Sequence, residues 1–141
     1  MSNVRAKGQD LTNAGYVHFT LYGDNFNPDE LTKLIGITPT STKIKGNPTP
    51  KYTMWEFSTD KIENDFIDVY EMSSFVVSKL APYSSNIRNA VKTFNLKPML
   101  SVALWITSDE SKSTPAIGFD ENVIAFLNEV GATIDVDTYI V

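Results

Sequence analysis

Hydrophobic and polar residues alternate strictly along residues 16–23, YVHFTLYG. Alternation with a period of two is typical of a β-strand that has one face in the core and the other face outside it. The apolar side carries Val17, Phe19 and Leu21, and the other side carries Tyr16, His18, Thr20 and Tyr22. This segment therefore predicts a strand around which the rest of the chain packs.

A helix is predicted directly after this strand. Asn27 precedes Pro28, and Glu30 follows three residues after Asn27, which is the pattern of a capping box at a helix N-terminus. An apolar stripe follows, and Gly36 stands where a left-handed residue ends a helix. We expect a helix of about three turns between Asn27 and Gly36.

Further strands are predicted by alternation or by continuous apolar runs. Residues 52–59 alternate, with Trp55 on the inner side, and residues 98–107 are apolar at almost every position, as in a central strand. Residues 133–141 end the chain as a strand. Residues 38–51 are predicted to be mainly loop, with at most a short edge strand around residues 42–45.

Helical spacing of apolar residues marks the remaining helices. The longest is predicted over residues 63–80, where Pro82 follows its end, and a shorter one is predicted to be capped by Ser84 or Ser85. Asp120 is the expected cap of the last helix, which ends at Gly131. The polar residues 107–115 between strand and helix are predicted to be a mobile loop.

This order of elements predicts an α+β fold with a single-layer mixed or antiparallel sheet and helices packed on one face. Its first six elements suggest a ferredoxin-like βαββαβ core, which a C-terminal helix and strand extend. We expect one domain over residues 16–141, preceded by a flexible N-terminal arm over residues 1–15.

Composition and charge narrow the classes of partner. The formal net charge is -5 and the pI is near 4.7. A negatively charged protein repels the phosphates of nucleic acid and attracts basic partners or cations. The sequence has no cysteine, which fits a reducing compartment, and no apolar run long enough to span a membrane. These features predict a cytoplasmic protein that binds neither nucleic acid nor membrane.

Several segments together resemble a known bacterial family. They are GDNFNPDELTKLIGITPT after the first strand, the isolated Trp55 after a loop rich in Lys, Gly and Pro, and IDVDTY after the last helix. In combination they resemble domain of unknown function 4279 over Tyr16 to Val141. The resemblance implies a bacterial, soluble, single-domain α+β protein, and it brings no established activity.

Candidate catalytic and metal-binding motifs are weak. His18 is the single histidine, and a general base needs a positioned partner that the sequence does not show. The segment DNFNPD departs from the calcium-loop pattern and is better explained by helix capping, and the lysine-rich loop matches no phosphate-binding loop. We expect no catalytic residue, no metal site and no cofactor.

One constellation remains, on the strand face that points away from the predicted helices. Asp135 and Asp137 lie two residues apart on one strand, so their backbone positions are about 6.6 Å apart on the same face. We name the following set the polar sheet face: Tyr16, His18, Tyr22, Glu56, Trp105, Asp135, Asp137 and Tyr139. Aromatic and acidic residues together suit a basic or amphipathic protein or a cationic ligand.

Two function classes stay open for this face. The first is a non-catalytic protein-interaction module, antidote-like in that it would neutralise a basic partner. The second is a small-molecule-binding or metal-dependent hydrolytic domain that uses Asp135, Asp137, Glu56 and His18. The face could also be the solvated side of the sheet or the contact of a homodimer.

Overall fold

The structure, a computed structural model, describes residues 12–141. Its strands and helices follow in the order β1 (Asn13–Gly23), α1 (Pro28–Ile35), β2 (Ser41–Lys43), β3 (Thr53–Ser58), β4 (Ile62–Asn64), α2 (Val69–Leu80), α3 (Ser84–Phe94), β5 (Lys97–Ile106), α4 (Glu121–Val130) and β6 (Thr133–Ile140). A 3-10 turn, Ala81–Tyr83, joins α2 to α3. The α+β class predicted from the sequence is confirmed.

The strands form one open sheet in the order β2-β3-β1-β5-β6. Pairing is antiparallel throughout this path except between β5 and β6, which run parallel and are connected through α4. The short strand β4 also pairs with β1, beyond the end of β3. The sheet is therefore mixed, and β1, the first strand of the described residues, lies at its centre.

The core lies between the helices and one face of the sheet. The strand residues on this side include Val17, Phe19 and Leu21 of β1, and all three are completely buried, as is Trp55 of β3. The Phe19 ring meets Phe126 of α4 edge-on, with 5.5 Å between ring centroids. Trp55 Nε1 donates a hydrogen bond to Thr32 Oγ1 of α1 over 3.0 Å, which satisfies the one polar group of this buried side chain.

Polar side chains begin α1 and α4 as the sequence indicated. Asn27 Oδ1 accepts hydrogen bonds from the backbone N–H groups of Asp29 at 2.9 Å and Glu30 at 3.4 Å. Asp120 caps α4 through the Val123 N–H, and Gly36 ends α1 with a φ of 97°, a conformation that favours glycine. The predicted start and end of α1 are confirmed.

The helix predicted over residues 63–80 was wrong in its first part. α2 begins at Val69, because the Asp68 carboxylate accepts from the N–H groups of Tyr70 and Glu71 and caps the helix there. The preceding residues form β4 and a bend in place of helical turns. The Val69 N–H, moreover, donates to the Ala116 carbonyl, so a neighbouring segment fixes the chain at this point.

Two smaller expectations were also wrong. No side-chain hydrogen bond from Ser84 or Ser85 caps α3. The 3-10 turn continues directly from α2 into α3, so the chain has no extended residue there at which a capping side chain would act. β1 begins at Asn13, so three residues assigned to the N-terminal arm belong to the sheet. Residues 1–11 of the predicted arm lie outside the described residues.

The loop before α4 is anchored by Asn13, which is completely buried. Its amide nitrogen donates to the carbonyl oxygens of Asp65 at 2.9 Å and Ser113 at 2.7 Å. Its amide oxygen accepts from the Thr107 N–H at 2.9 Å. One side chain thus ties the first strand to two segments that are distant in sequence.

Candidate functional site

The register of the strands places the eight residues of the polar sheet face on one side of the sheet. Side chains that lie directly opposite each other on paired strands share a face. Tyr16 lies opposite Ala103, which lies opposite Asp137, and the next row along the strands joins His18, Ser101 and Asp135. The remaining members lie in three further rows. One contains Ala14, Trp105 and Tyr139, one contains Thr20 and Glu56, and one contains Tyr22, Met54 and Lys97.

Aromatic rings form a continuous row across three strands of this face. The ring centroids of His18 and Tyr16 are 4.1 Å apart, and the rings are stacked. Tyr16 contacts Trp105 at 5.6 Å, and Trp105 stacks on Tyr139 at 5.3 Å. The row therefore runs from β1 to the outer strand β6.

His18 and Glu56 form a pair within the face. The His18 Nδ1 atom lies 3.0 Å from Glu56 Oε2, and Glu56 is only 8 % exposed. The hydrogen bond with His18 lowers the pKa of the Glu56 carboxyl below its ordinary value of 4.5, although burial opposes this shift. Glu56 is thus held as a carboxylate by a partner on the neighbouring strand, and the pair is engaged internally.

Tyr16 is the ring of the row on which acidic groups converge. Burial raises the pKa of the Tyr16 hydroxyl above its ordinary value of 10.0, and nearby Tyr139, Glu56 and Asp137 raise it further. Tyr16 therefore keeps its proton at physiological pH and offers a neutral O–H group.

A basic residue that the sequence analysis did not assign, Lys61, completes the aromatic row. Its ammonium lies over the Trp105 ring, 4.0 Å from the centroid, within the range of a cation–π interaction. The register explains why it reaches there. His18 pairs with Ser58 and Gly15 pairs with Ile62, so three residues before β4 face only two residues of β1. This extra residue is a β-bulge, a device that redirects side chains.

Asp135 and Asp137 lie at the margin of the face, on β6. Both residues are exposed, and an ion pair with another described residue is found for neither of them. Their carboxylates are thus open to solvent beside the aromatic row.

Tyr22 stands apart from the rest of the polar sheet face. Its ring meets Tyr52 edge-on at 6.3 Å, beside a hollow of about 410 Å³ that Lys97 and Met99 also line. The row of the sheet that contains Tyr22 carries Lys43 and Lys97. This end of the face is therefore basic, whereas the β6 margin is acidic.

The geometry limits the chemistry that this face can perform. Within residues 12–141, no three His, Asp or Glu side chains lie close enough together to hold a metal ion. His18 is paired with Glu56, and no serine or threonine hydroxyl contacts its ring nitrogens among the hydrogen bonds described. The face therefore consists of stacked aromatic rings, the Lys61 ammonium over Trp105, and the exposed carboxylates of Asp135 and Asp137. Such a surface suits binding of another molecule.

The fold and this face define a small α+β domain whose sheet has helices packed on one face and the polar sheet face on the other. The profile of a known family, Domain of unknown function (DUF4279), matches residues 12–141. The chain belongs to this family, as the resemblance implied. Comparison with curated proteins finds no match, and comparison with solved structures finds none either. In the part of the chain that the structure covers, no helix has the length and apolar character to cross a bilayer.

Proposed function

We propose that this protein is a non-catalytic protein-interaction module whose polar sheet face binds a basic or amphipathic protein. The observation that carries the proposal is the Lys61 ammonium on the Trp105 ring. It is an internal example of the contact that a lysine or arginine of a partner would make with this face. In an antidote-like role, the module would neutralise its partner by covering a basic surface.

The electrostatics of the margin support this proposal. Asp135 and Asp137 are exposed beside the aromatic row, and the chain carries a net charge of -5. Complementary charge accelerates association and selects the partner, while stacked aromatic rings supply contact area at a low entropic cost. The face combines both means of recognition.

The test is a titration with a synthetic lysine-rich peptide, followed by tryptophan fluorescence. Trp105 lies on the face and Trp55 is completely buried, so Trp105 reports binding. Changing Asp135→Asn and Asp137→Asn together should weaken binding by about tenfold and reduce its salt dependence. The unfolding midpoint should hardly change, because exposed carboxylates contribute little to stability.

A matched control removes the same charge elsewhere. Glu110 and Glu129 are exposed, in the loop before α4 and on α4 itself. Changing both to Gln alters the net charge equally and should leave affinity nearly unchanged. Equal weakening by both double variants would show that only overall charge matters, and an absence of peptide binding would refute the proposal.

Small-molecule binding is a second candidate, favoured by the hollow beside Tyr22 and Tyr52. Tyrosine rings and the Lys97 ammonium would suit a small aromatic anion there. A native mass spectrum of the purified protein with a bound metabolite would favour this candidate. No observation in residues 12–141 favours the hydrolytic alternative, since His18 and Glu56 are engaged with each other.

The proposal extends to the ancestry of the fold and to its setting. The antiparallel pairings of β1 with β3 and β5, and of β2 with β3, support a ferredoxin-like core to which α4 and β6 have been added. The cysteine-free sequence supports a cytoplasmic setting, where thiols stay reduced.

A further inference from the structure

The outer strand β6 (Thr133–Ile140) is exposed along its whole length. One edge of this strand pairs with β5, from Met99 opposite Thr133 to Ile106 opposite Ile140. Within residues 12–141, no strand pairs with its other edge. A free edge of this length presents a row of backbone groups to which another strand can bind.

The backbone hydrogen bonds show which groups point outward. The Val141 N–H donates to the Ile106 carbonyl at 2.9 Å, and the Val141 carbonyl accepts from the Ser108 N–H at 2.9 Å. In a parallel ladder alternate residues point their N–H and C=O groups to opposite sides of the strand. The inward residues are therefore Asp135, Asp137 and Tyr139, and the outward residues are Ile134, Val136, Thr138 and Ile140.

Apolar side chains on the helix side of β6 are left uncovered. The exposed fractions are 42 % for Ile134, 38 % for Val136 and 72 % for Ile140. Val136 lies opposite the buried Val102 in the register, yet the helical layer does not extend far enough to cover it. An additional strand at this edge would bury part of this apolar surface.

We infer that β6 binds a β-strand of a basic partner, in which lysine or arginine alternates with apolar residues. This inference rests on the proposed function and names the form that the partner takes. Basic residues of the added strand would face Asp135 and Asp137, and its apolar residues would lie beside Ile134 and Val136. Backbone hydrogen bonds would supply affinity, and the alternating side chains would supply specificity.

Charge selects this occupant over a second copy of the chain. Antiparallel pairing of two β6 strands centred on Val136 would place Asp135 directly opposite Asp137 in both halves, which is destabilising. Centring the pair on Thr138 avoids that opposition but still joins two chains that each carry a net charge of -5. A basic strand removes the repulsion in either register.

The experiment measures amide hydrogen exchange with and without a synthetic peptide in which lysine alternates with valine. Outward N–H groups, such as those of Val136 and Thr138, should exchange about tenfold more slowly in the complex. The Asp137 and Tyr139 N–H groups already bond to β5 and should change less. A peptide in which aspartate alternates with valine should not bind.

A pair of variants at one position tests the backbone contribution. Thr138→Pro removes an outward N–H, and proline is tolerated on an edge strand where that group faces solvent. It should lower affinity for the lysine–valine peptide by about tenfold, whereas Thr138→Ala should not. If the proline variant does not fold, the same peptide with N-methylated valines tests the point, because it cannot pair with β6.

The outcomes separate this inference from the proposed function. Unchanged affinity of Thr138→Pro, or of the N-methylated peptide, combined with weaker binding by the Asp135→Asn and Asp137→Asn double variant, would overturn strand addition and leave the polar sheet face intact as a binding site. If the outward amides are protected from exchange without peptide, and this protection rises with protein concentration, then a second copy of the chain pairs with β6. That result would overturn the inference. If neither the lysine-rich peptide nor the lysine–valine peptide binds, this inference and the proposed function are both overturned.

Discussion

At the scale of single residues, two buried polar side chains, Asn13 and Glu56, are satisfied by partners that lie far away in sequence. Asn13 uses both ends of its amide on backbone groups of two other segments, at Asp65 and in the loop before α4. Glu56 belongs to the polar sheet face, is almost completely buried and pairs with His18. The face therefore includes residues that hold the sheet together as well as residues that are open to a partner.

Glu56 should make the stability of the protein sensitive to acid. Its pKa is lowered in the folded state, so its stabilising contribution is complete above the ordinary value of 4.5 and is lost as pH falls through the folded pKa. Glu56→Gln should therefore be less stable than the natural protein at neutral pH, and the difference should shrink as pH falls below 4.5. Urea unfolding across this pH range measures it.

A matched variant at an exposed site is the control for this prediction. Glu121 is exposed on α4, and no hydrogen-bonded partner is found for its side chain among the described residues. The difference between Glu121→Gln and the natural protein should vary much less with pH. A Glu56→Gln variant whose deficit is constant from neutral to acid pH would contradict the role assigned to the carboxylate.

At the scale of elements, local signals in the sequence determine most helix ends. Asn27→Ala removes the acceptor for two backbone N–H groups at the start of α1. It should lower the free energy of unfolding by about 1 kcal/mol while the fold remains intact. Chemical denaturation checks this value.

The neighbouring Asn25 provides a comparison for Asn27. Asn25 is exposed and lies outside the helix, so Asn25→Ala should change stability by less than about 0.5 kcal/mol. Equal midpoints for the Asn27→Ala variant and the natural protein would mean that the cap contributes nothing to stability.

The sequence predicted those features of the fold and the face that depend on local pattern. The two-residue period expected of a strand placed Tyr16 of β1, Trp105 of β5 and Asp137 of β6 on one face, and the register confirms that they share it. The helical period of apolar residues predicted a helix wrongly before Val69. The three residues of β4 are exposed, and β4 is a strand because it pairs with β1. No local signal reports such pairing.

Tertiary packing also determined features of the site that the sequence could not reveal. Lys61 reaches Trp105 because a bulge redirects it, and a bulge exists only in relation to a neighbouring strand. The burial of Glu56 and the exposure of Val136 depend on how far loops and helices extend over the sheet. A pattern of apolar residues predicts which side chains share a face of a strand. It does not predict which other segments cover that face.

At the scale of the whole molecule, charge is distributed unevenly across the sheet. Lys43 lies on the outer strand β2 at one edge, and Asp135 and Asp137 lie on β6 at the other. A basic partner of the kind proposed would therefore be attracted to the β6 edge and repelled from the β2 edge. This asymmetry would orient such a partner before any contact forms.

The carboxylates on the sheet are too few for a closed metal site. We expect that calcium, magnesium, manganese and zinc at moderate concentration leave the melting temperature unchanged, because only two exposed carboxylates share the β6 margin. Thermal unfolding with each ion, and with a chelator as reference, measures this. Saturable stabilisation that Asp137→Asn abolishes would contradict the binding-only interpretation of the face.

The central position of β1 has a consequence for how the chain is made. β1 is among the first described residues to be synthesised, yet its partner on one side is β5, where Val17 lies opposite Val102. The ribosome adds about 5–20 residues per second, so the first strand waits for seconds before its longest pairing can form. Contacts between such distant segments also slow folding. During that interval the apolar side of β1 has only the first helices and strands to cover it, and the newly made chain depends on them for protection from aggregation.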